Sequence, residues 1–218
     1  MDTKVSLART ILSTRHVDLN KGKVQPTTTC LVKGLYTFKM AIKLHISRKL
    51  SLKSQLSTGM IIVLKSTQFN LEDLQDGMVH ATHLDLYNRH NDIVLRITIR
   101  RGQKKVFFND RADKSLSNGW GQEQSLDLSL ADVDRWKHSG VTISVQDRST
   151  PSEKRFQVFF DLTTVYSFNK RFPGSPTKLV YSTTDPYYRR QLSTPLKVFF
   201  YKLDDLPLVE RQAVESEM

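Results

Sequence analysis

The chain has 218 residues, 39% hydrophobic and 25% charged, the size and make-up of one globular domain able to bury a real core. No apolar run approaches the roughly 18 residues that a membrane helix needs. A single cysteine, Cys30, excludes an intrachain disulfide, and no Cys/His cluster has zinc spacing, so no metal or cofactor is expected.

The net charge of +11 is unevenly placed. Residues 1–50 hold 10 Lys/Arg against 2 Asp/Glu, while residues 51–218 hold 23 against 20. Basicity gathered in one segment describes an arm rather than a groove on the domain body, which disfavours nucleic acid as the partner of that body. Residues 1–38 show mixed polarity, the threonine-rich VQPTTTC and no sustained period, and read as a basic, flexible extension with at most a short helix near VSLARTIL. Their start lacks the apolar centre and cleavage site of a secretory leader, and Asp2 and Asp18 disfavour a transit peptide. Cytoplasmic synthesis is therefore expected.

From residue 39 the pattern turns to β. KMAIKLHIS alternates, with Met40, Ile42, Leu44 and Ile46 on one side. GMIIVLKST, VHATHLDLY, DIVLRITIRR, KKVFFND, QSLDLSL, GVTISVQD, KRFQVFFDL, TVYSFNKR, TKLVYSTT and PLKVFFYKL follow, separated by turn signals such as RRGQK, SNGWG and FPGSPT. Short strands at regular spacing, with hardly a helical stretch, predict an all-β fold, an antiparallel two-sheet β-sandwich spanning residues 39–205; a barrel is the alternative. SLADVDRWKHSG reads as a turn that plugs the core with Trp136, and residues 206–218 as an acidic tail that frays.

The stretch from Asn91 to Gln124 carries the chemistry. A period of two sends Ile93, Leu95, Ile97 and Ile99 to the core and Arg96, Thr98 and Arg100 to the opposite face. RRGQK closes a hairpin, with Gly102 free to take positive φ. On the return strand Val106 and Phe108 face the core and Asn109 faces outward; SNGWG then brings in Trp120, with Glu123 shortly after. One face thereby gathers guanidinium donors, a hydroxyl, an amide, an indole and a carboxylate. A pyranose matches that set, because its C–H patch lies on an aromatic ring while its hydroxyls both donate and accept. The plain alternative is a solvated strand face on which the arginines pair with Glu123.

IVLRITIRRGQKKVFFNDR, followed by NGWGQEQ, resembles the heart of a galectin carbohydrate-recognition domain, most closely the fungal fruiting-body type. There an ILLHISIRPGE strand, a VIVFNSR strand and NGxWGPEER occur in that order. GVTISVQDRSTPSEKRFQVFFDLTTVYSFNKRF, STPLKVFFYKL and MAIKLHISRKLSLKSQLSTGMIIVLKST extend the resemblance from Met40 to Asp205. It implies a galectin-type, jelly-roll sandwich that binds sugar without catalysis or an obligatory metal. Asn109 then matches the amide that bonds galactose, Trp120 the stacking indole, Glu123 the carboxylate that braces the second sugar and the arginines, and Arg100 the strand arginine. Arg96 stands where the family has a histidine, Thr98 where it has serine or asparagine, and Ser125 where it has the last arginine of its motif.

The expected function is thus a galectin-like lectin binding glycans through Arg96, Thr98, Arg100, Asn109, Trp120 and Glu123, with a preference displaced from β-galactosides. A different hexose, an N-acetylglucosamine oligomer and an anionic glycan are the candidate ligands. The alternative is a galectin-fold protein-interaction module that has lost sugar binding, with homo-oligomerisation left open. His80 and His83 fall on opposite strand faces, which disfavours shared metal ligation, and no nucleophile–base pair or phosphate loop appears, so no enzyme is expected. The resemblance also implies that such a lectin either stays cytoplasmic or leaves by an unconventional route.

Overall fold

The computed structural model describes residues 41–52, 60–72, 79–112, 119–161, 164–184 and 190–202, all within the unit Tyr36–Met218. The extension 1–38 and the tail 206–218 lie outside the described residues. The described residues form an all-β sandwich of two antiparallel six-stranded sheets. In chain order the strands are β1 (Ile42–Leu44), β2 (Arg48–Ser51), β3 (Met60–Ser66), β4 (Ala81–Tyr87), β5 (Ile93–Arg100) and β6 (Lys105–Arg111). After them come β7 (Gln124–Asp127), β8 (Val141–Asp147), β9 (Arg155–Phe160), β10 (Thr164–Asn169), β11 (Lys178–Thr183) and β12 (Leu196–Lys202). The first sheet runs β1-β12-β3-β8-β9-β10 and the second β2-β11-β4-β5-β6-β7.

The inner faces meet in one cluster. Ile62, Leu64, Ile143, Val158 and Val198 from the first sheet pack with Leu84, Leu95, Ile97, Val106, Phe108 and Tyr181 from the second. Each such aliphatic side chain contributes about 1.5–3 kcal/mol by leaving water. The Tyr181 hydroxyl keeps its hydrogen bonds inside this core by donating to the carbonyls of Leu192 and Ser193 at 3.1 and 3.0 Å.

Three details depart from the sequence reading. The apolar alternation of KMAIKLHIS does not continue as one strand: Ser47 takes φ 60 and the chain passes from β1 in one sheet to β2 in the other. β2 is short, largely exposed and at an edge, so its residues RKLS carry no hydrophobic signal. The segment read as a turn is an α-helix, α1 (Leu130–Ser139). Ser129 caps it by accepting the Asp132 N–H at 3.0 Å, and Gly140 ends it at φ 76, where its own N–H donates to the Trp136 carbonyl. Trp136 is fully buried, edge-on to Phe69 at 5.2 Å, so its core role holds while the element that carries it differs.

The third departure touches the functional face. The β5–β6 register shifts between Ile93 and Arg96, so strict alternation fails there. Val94 and Leu95 both enter the core cluster, whereas Ile93 lines a surface groove together with Arg96. A bulge of this kind adds one residue to a strand and reverses the facing of everything before it.

Candidate functional site

The outer face of the second sheet is a grid of cross-strand rows. One row reads Lys49, Val180, Asp85, Arg96, Asn109 across β2, β11, β4, β5 and β6. The next reads Ser182, His83, Thr98, Phe107, Ser125. Arg100 stands one row further along β5, opposite Ala81. Trp120 sits just before β7, held to Arg111 by an isolated bridge, and is 38% exposed. The six residues selected from the sequence therefore share one face, but they divide into two groups.

Arg96 and Trp120 anchor the first group. The Arg96 guanidinium grips Asp85 with two parallel bonds, Nε to Oδ1 at 2.7 Å and Nη2 to Oδ2 at 2.6 Å. Asp85 is almost fully buried, which makes this pair costly to break from either side. The same guanidinium lies 4.4 Å from the centre of the Trp120 ring, and that of Arg111 lies 5.1 Å from it. Arg96 Nη1 is left to donate elsewhere. Asn109, opposite Arg96, accepts the Asp110 N–H at 2.8 Å through Oδ1, which fixes its amide and leaves Nδ2 as the outward donor.

Arg100 and Glu123 form the second group. They make a two-pronged ion pair, with Nη1 to Oε1 at 2.8 Å and Nη2 to Oε2 as the second bond. The Arg100 guanidinium also lies over Phe107, 3.9 Å from its ring centre, so Phe107 is an outward residue. Thr98 lies between the groups but is buried. Its hydroxyl is 3.1 Å from His83 Nδ1, which places Thr98 beneath the face as a support. Burial pushes the His83 imidazole down to about 4, and the neighbouring Arg96 charge pushes the same way, so it is neutral near pH 7.

A sandwich of this topology with this order of motif residues invites comparison with known proteins. No family model matches the chain. Galectin-1 of Coprinopsis cinerea is 23% identical over 164 residues, 75% of this chain and 95% of that protein. Galectin-2 of the same fungus is 24% identical over 160 residues, 73% and 92% of the two chains. The chain carries a galectin-like domain. Among solved structures, galectin LEC-6 of Caenorhabditis elegans superposes with a TM-score of 0.50 at 14% identity, covering 75% of this chain and 95% of that one.

Within the galectin-like domain, several participants escaped the sequence reading. Asp85 and His83 reach the face from β4, a strand whose sequence HATHLDLY reads as ordinary alternation. The Asp85–Arg96 register could be inferred only with the strand pairing in hand. Arg171, after β10, is more remote still. Its Nε donates to the buried Asp110 at 2.5 Å, and its Nη2 donates to the Gly119 carbonyl at 2.9 Å. Gly121 N–H donates to the Asp110 carbonyl at 2.9 Å, so the turn on both sides of Trp120 is tied to β6 and Arg171. A Cβ at Gly121 would collide with the Asp110 carboxylate and the Arg171 guanidinium, which explains why the motif needs glycine there.

No helix among the described residues is long and apolar enough to cross a membrane. The structure therefore offers a rigid, polar sheet face with one exposed indole. Its cations and carboxylates are held in fixed geometry, as recognition of a polyhydroxylated ligand requires.

Proposed function

We propose that the chain is a glycan-binding lectin whose platform is formed by Arg96, Arg100, Asn109, Trp120 and Glu123, with Thr98 positioning from below. The galectin-like fold supports this reading, and the observation that carries it is the half-exposed Trp120 ring set among prearranged donors. Asn109 Nδ2, Arg96 Nη1 and Arg100 Nε are the donors available to hydroxyls, and the Glu123 oxygens accept. Each such bond adds only about 0.5–1.5 kcal/mol net, so single-site affinity is modest and avidity through multivalency matters.

The preference departs from β-galactosides because Arg96 takes the position of the family histidine and overlies the indole. Less apolar ring surface is left for C–H stacking, and a guanidinium edge replaces an imidazole. A second reading has one observation of its own in its favour. An indole already covered by an ion-paired arginine is also how a protein-contact module that has abandoned sugar would look.

A glycan array with the wild-type chain and Trp120→Ala separates the two. Selective binding that falls at least about ten-fold in the variant, with the circular dichroism spectrum unchanged, is the expected outcome. A blank array for a well-folded wild-type chain assigns the domain to protein contacts.

A further inference from the structure

We infer that the groove beside Trp120 seats the anionic substituent of a saccharide, a sulfate or a uronate carboxylate, between Lys49, Lys178 and Arg111. The inference rests on the glycan reading above and names the ligand class for that same face.

The groove has a volume of about 490 Å³ and runs across β2, β11, β4, β5 and β6, within the range of small-molecule sites. Lys49, Lys178, Arg96 and Arg111 line it, and so does one carboxylate, Asp85. That carboxylate is already consumed, because both of its oxygens are taken by Arg96. The other three cations have no carboxylate partner among the described residues. Lys178 is held in place without being neutralised: its Nζ donates to Asn91 Oδ1 at 3.3 Å and lies 4.1 Å from the Tyr87 ring centre. Arg111 is more telling. Its Nε is a buried donor with no acceptor among the described residues, the kind of group that a folded protein rarely leaves unmatched.

The charge excess is local. Among the described residues elsewhere on the same face, Arg100 is matched by Glu123 and Lys105 by Asp127. Arg111 also touches Trp120, which makes the groove continuous with the sugar platform. A saccharide ring resting against Trp120 and Arg96 would therefore project a substituent toward three unspent positive charges. Guanidinium and ammonium donors recognise sulfate and carboxylate through short charge-assisted bonds.

The test is an array of neutral oligosaccharides, each printed beside its sulfated and its uronate-bearing counterpart. Calorimetric titration of the best-binding trio then follows at low and high salt. Anionic members should bind about ten-fold or more tightly than their neutral parent, with the gap narrowing as salt is raised. The arm that gains identifies sulfate or carboxylate. In the Lys49→Gln/Lys178→Gln double variant, both on the surface, the gap should close while affinity for the neutral parent and the melting temperature stay the same.

Equal affinity for neutral and anionic members overturns the inference, as does a preference that survives the double variant. Inorganic polyphosphate that competes as well as the charged saccharide reduces the groove to bare charge and also overturns it. Neutral binding that depends on Trp120, without any anionic gain, sinks this inference and leaves the glycan reading standing; a blank array sinks both.

Discussion

On the outer face of the first sheet, one cross-strand row reads Phe199, Val63, Ser144, Phe159, Val165. On the outer face of the second, a comparable row reads Lys49, Val180, Asp85, Arg96, Asn109. Both follow the same period of two, on strands that donate their other side to the same core. The first face carries an apolar patch: Ile61, Val63 and Phe159 form a buried cluster, and Phe199 and Tyr201, their rings stacked on each other at 6.2 Å, pack against it. The second gathers charged and polar groups around Trp120 and Phe107, and its platform arginines, Arg96 and Arg100, are tied to Asp85 and Glu123. The difference separates two things a sheet face can supply. Apolar contact adds stability in proportion to area and demands little of geometry. Paired charges return little net stability after desolvation, yet they hold donors in fixed directions, which is what recognition needs.

Substitutions can break this contrast if it is misread. Phe159→Ala on the apolar face should cost about 3–5 kcal/mol in urea unfolding, because the ring is fully buried. Glycan binding should be unaffected in whatever fraction remains folded. Next in size is Arg96→Ala, which strands the buried Asp85 carboxylate and should cost about 3 kcal/mol. Replacing both residues, Asp85→Ala with Arg96→Ala, should recover much of that loss, since the penalty lies in the unpaired charge and not in the missing bond. A double variant no more stable than Arg96→Ala alone would mean that the missing bonds, and not the stranded charge, carry the loss, and the contrast between the faces would fail. Both variants should lose binding, because Arg96 is part of the platform.

The sandwich was legible in the sequence because alternation and turn residues are local signals, and eleven of the described strands coincide with runs such as GMIIVLKST and KRFQVFFDL. The face of Arg96, Thr98, Arg100 and Asn109 was legible for the same reason. What stayed hidden depends on pairing between distant segments. Asp85 is a lone acid in HATHLDLY until β4 is laid beside β5, and Arg171 is a lone base until the turn around Trp120 folds back on it. The bulge that turns Ile93 outward is likewise a property of the strand pair. Helix α1 was missed for another reason: its mean hydropathy is low and only Trp136 is buried, so its hydrophobic period is faint although the Ser129–Asp132 cap is written in the sequence.

The contrast sharpens with pH, because among the described residues only the second face buries a histidine at its centre. His83 is neutral in the fold down to about pH 4 but titrates near 6.5 when unfolded, and it is faced by Arg96 and Arg100 as well as by Asp85. The unfolded chain therefore binds more protons than the folded one between those values, so stability rises with pH across that window. The contribution is fully present above about pH 6.5 and is lost as pH falls toward 4, up to roughly 3 kcal/mol at the limit. Unfolding curves at pH 7, 5.5 and 4.5 should show this loss for the wild-type chain. His83→Gln, which keeps a polar partner for Thr98 without a proton to gain, should show a flatter response. Parallel pH dependence in the two proteins would remove His83 as the cause. Phe159→Ala should keep the wild-type slope, because its loss on the apolar face involves no group that titrates in this range. Glycan binding by the folded chain should hold across this window and weaken only as pH approaches 4, where the folded imidazole itself takes a proton beside Arg96 and Arg100.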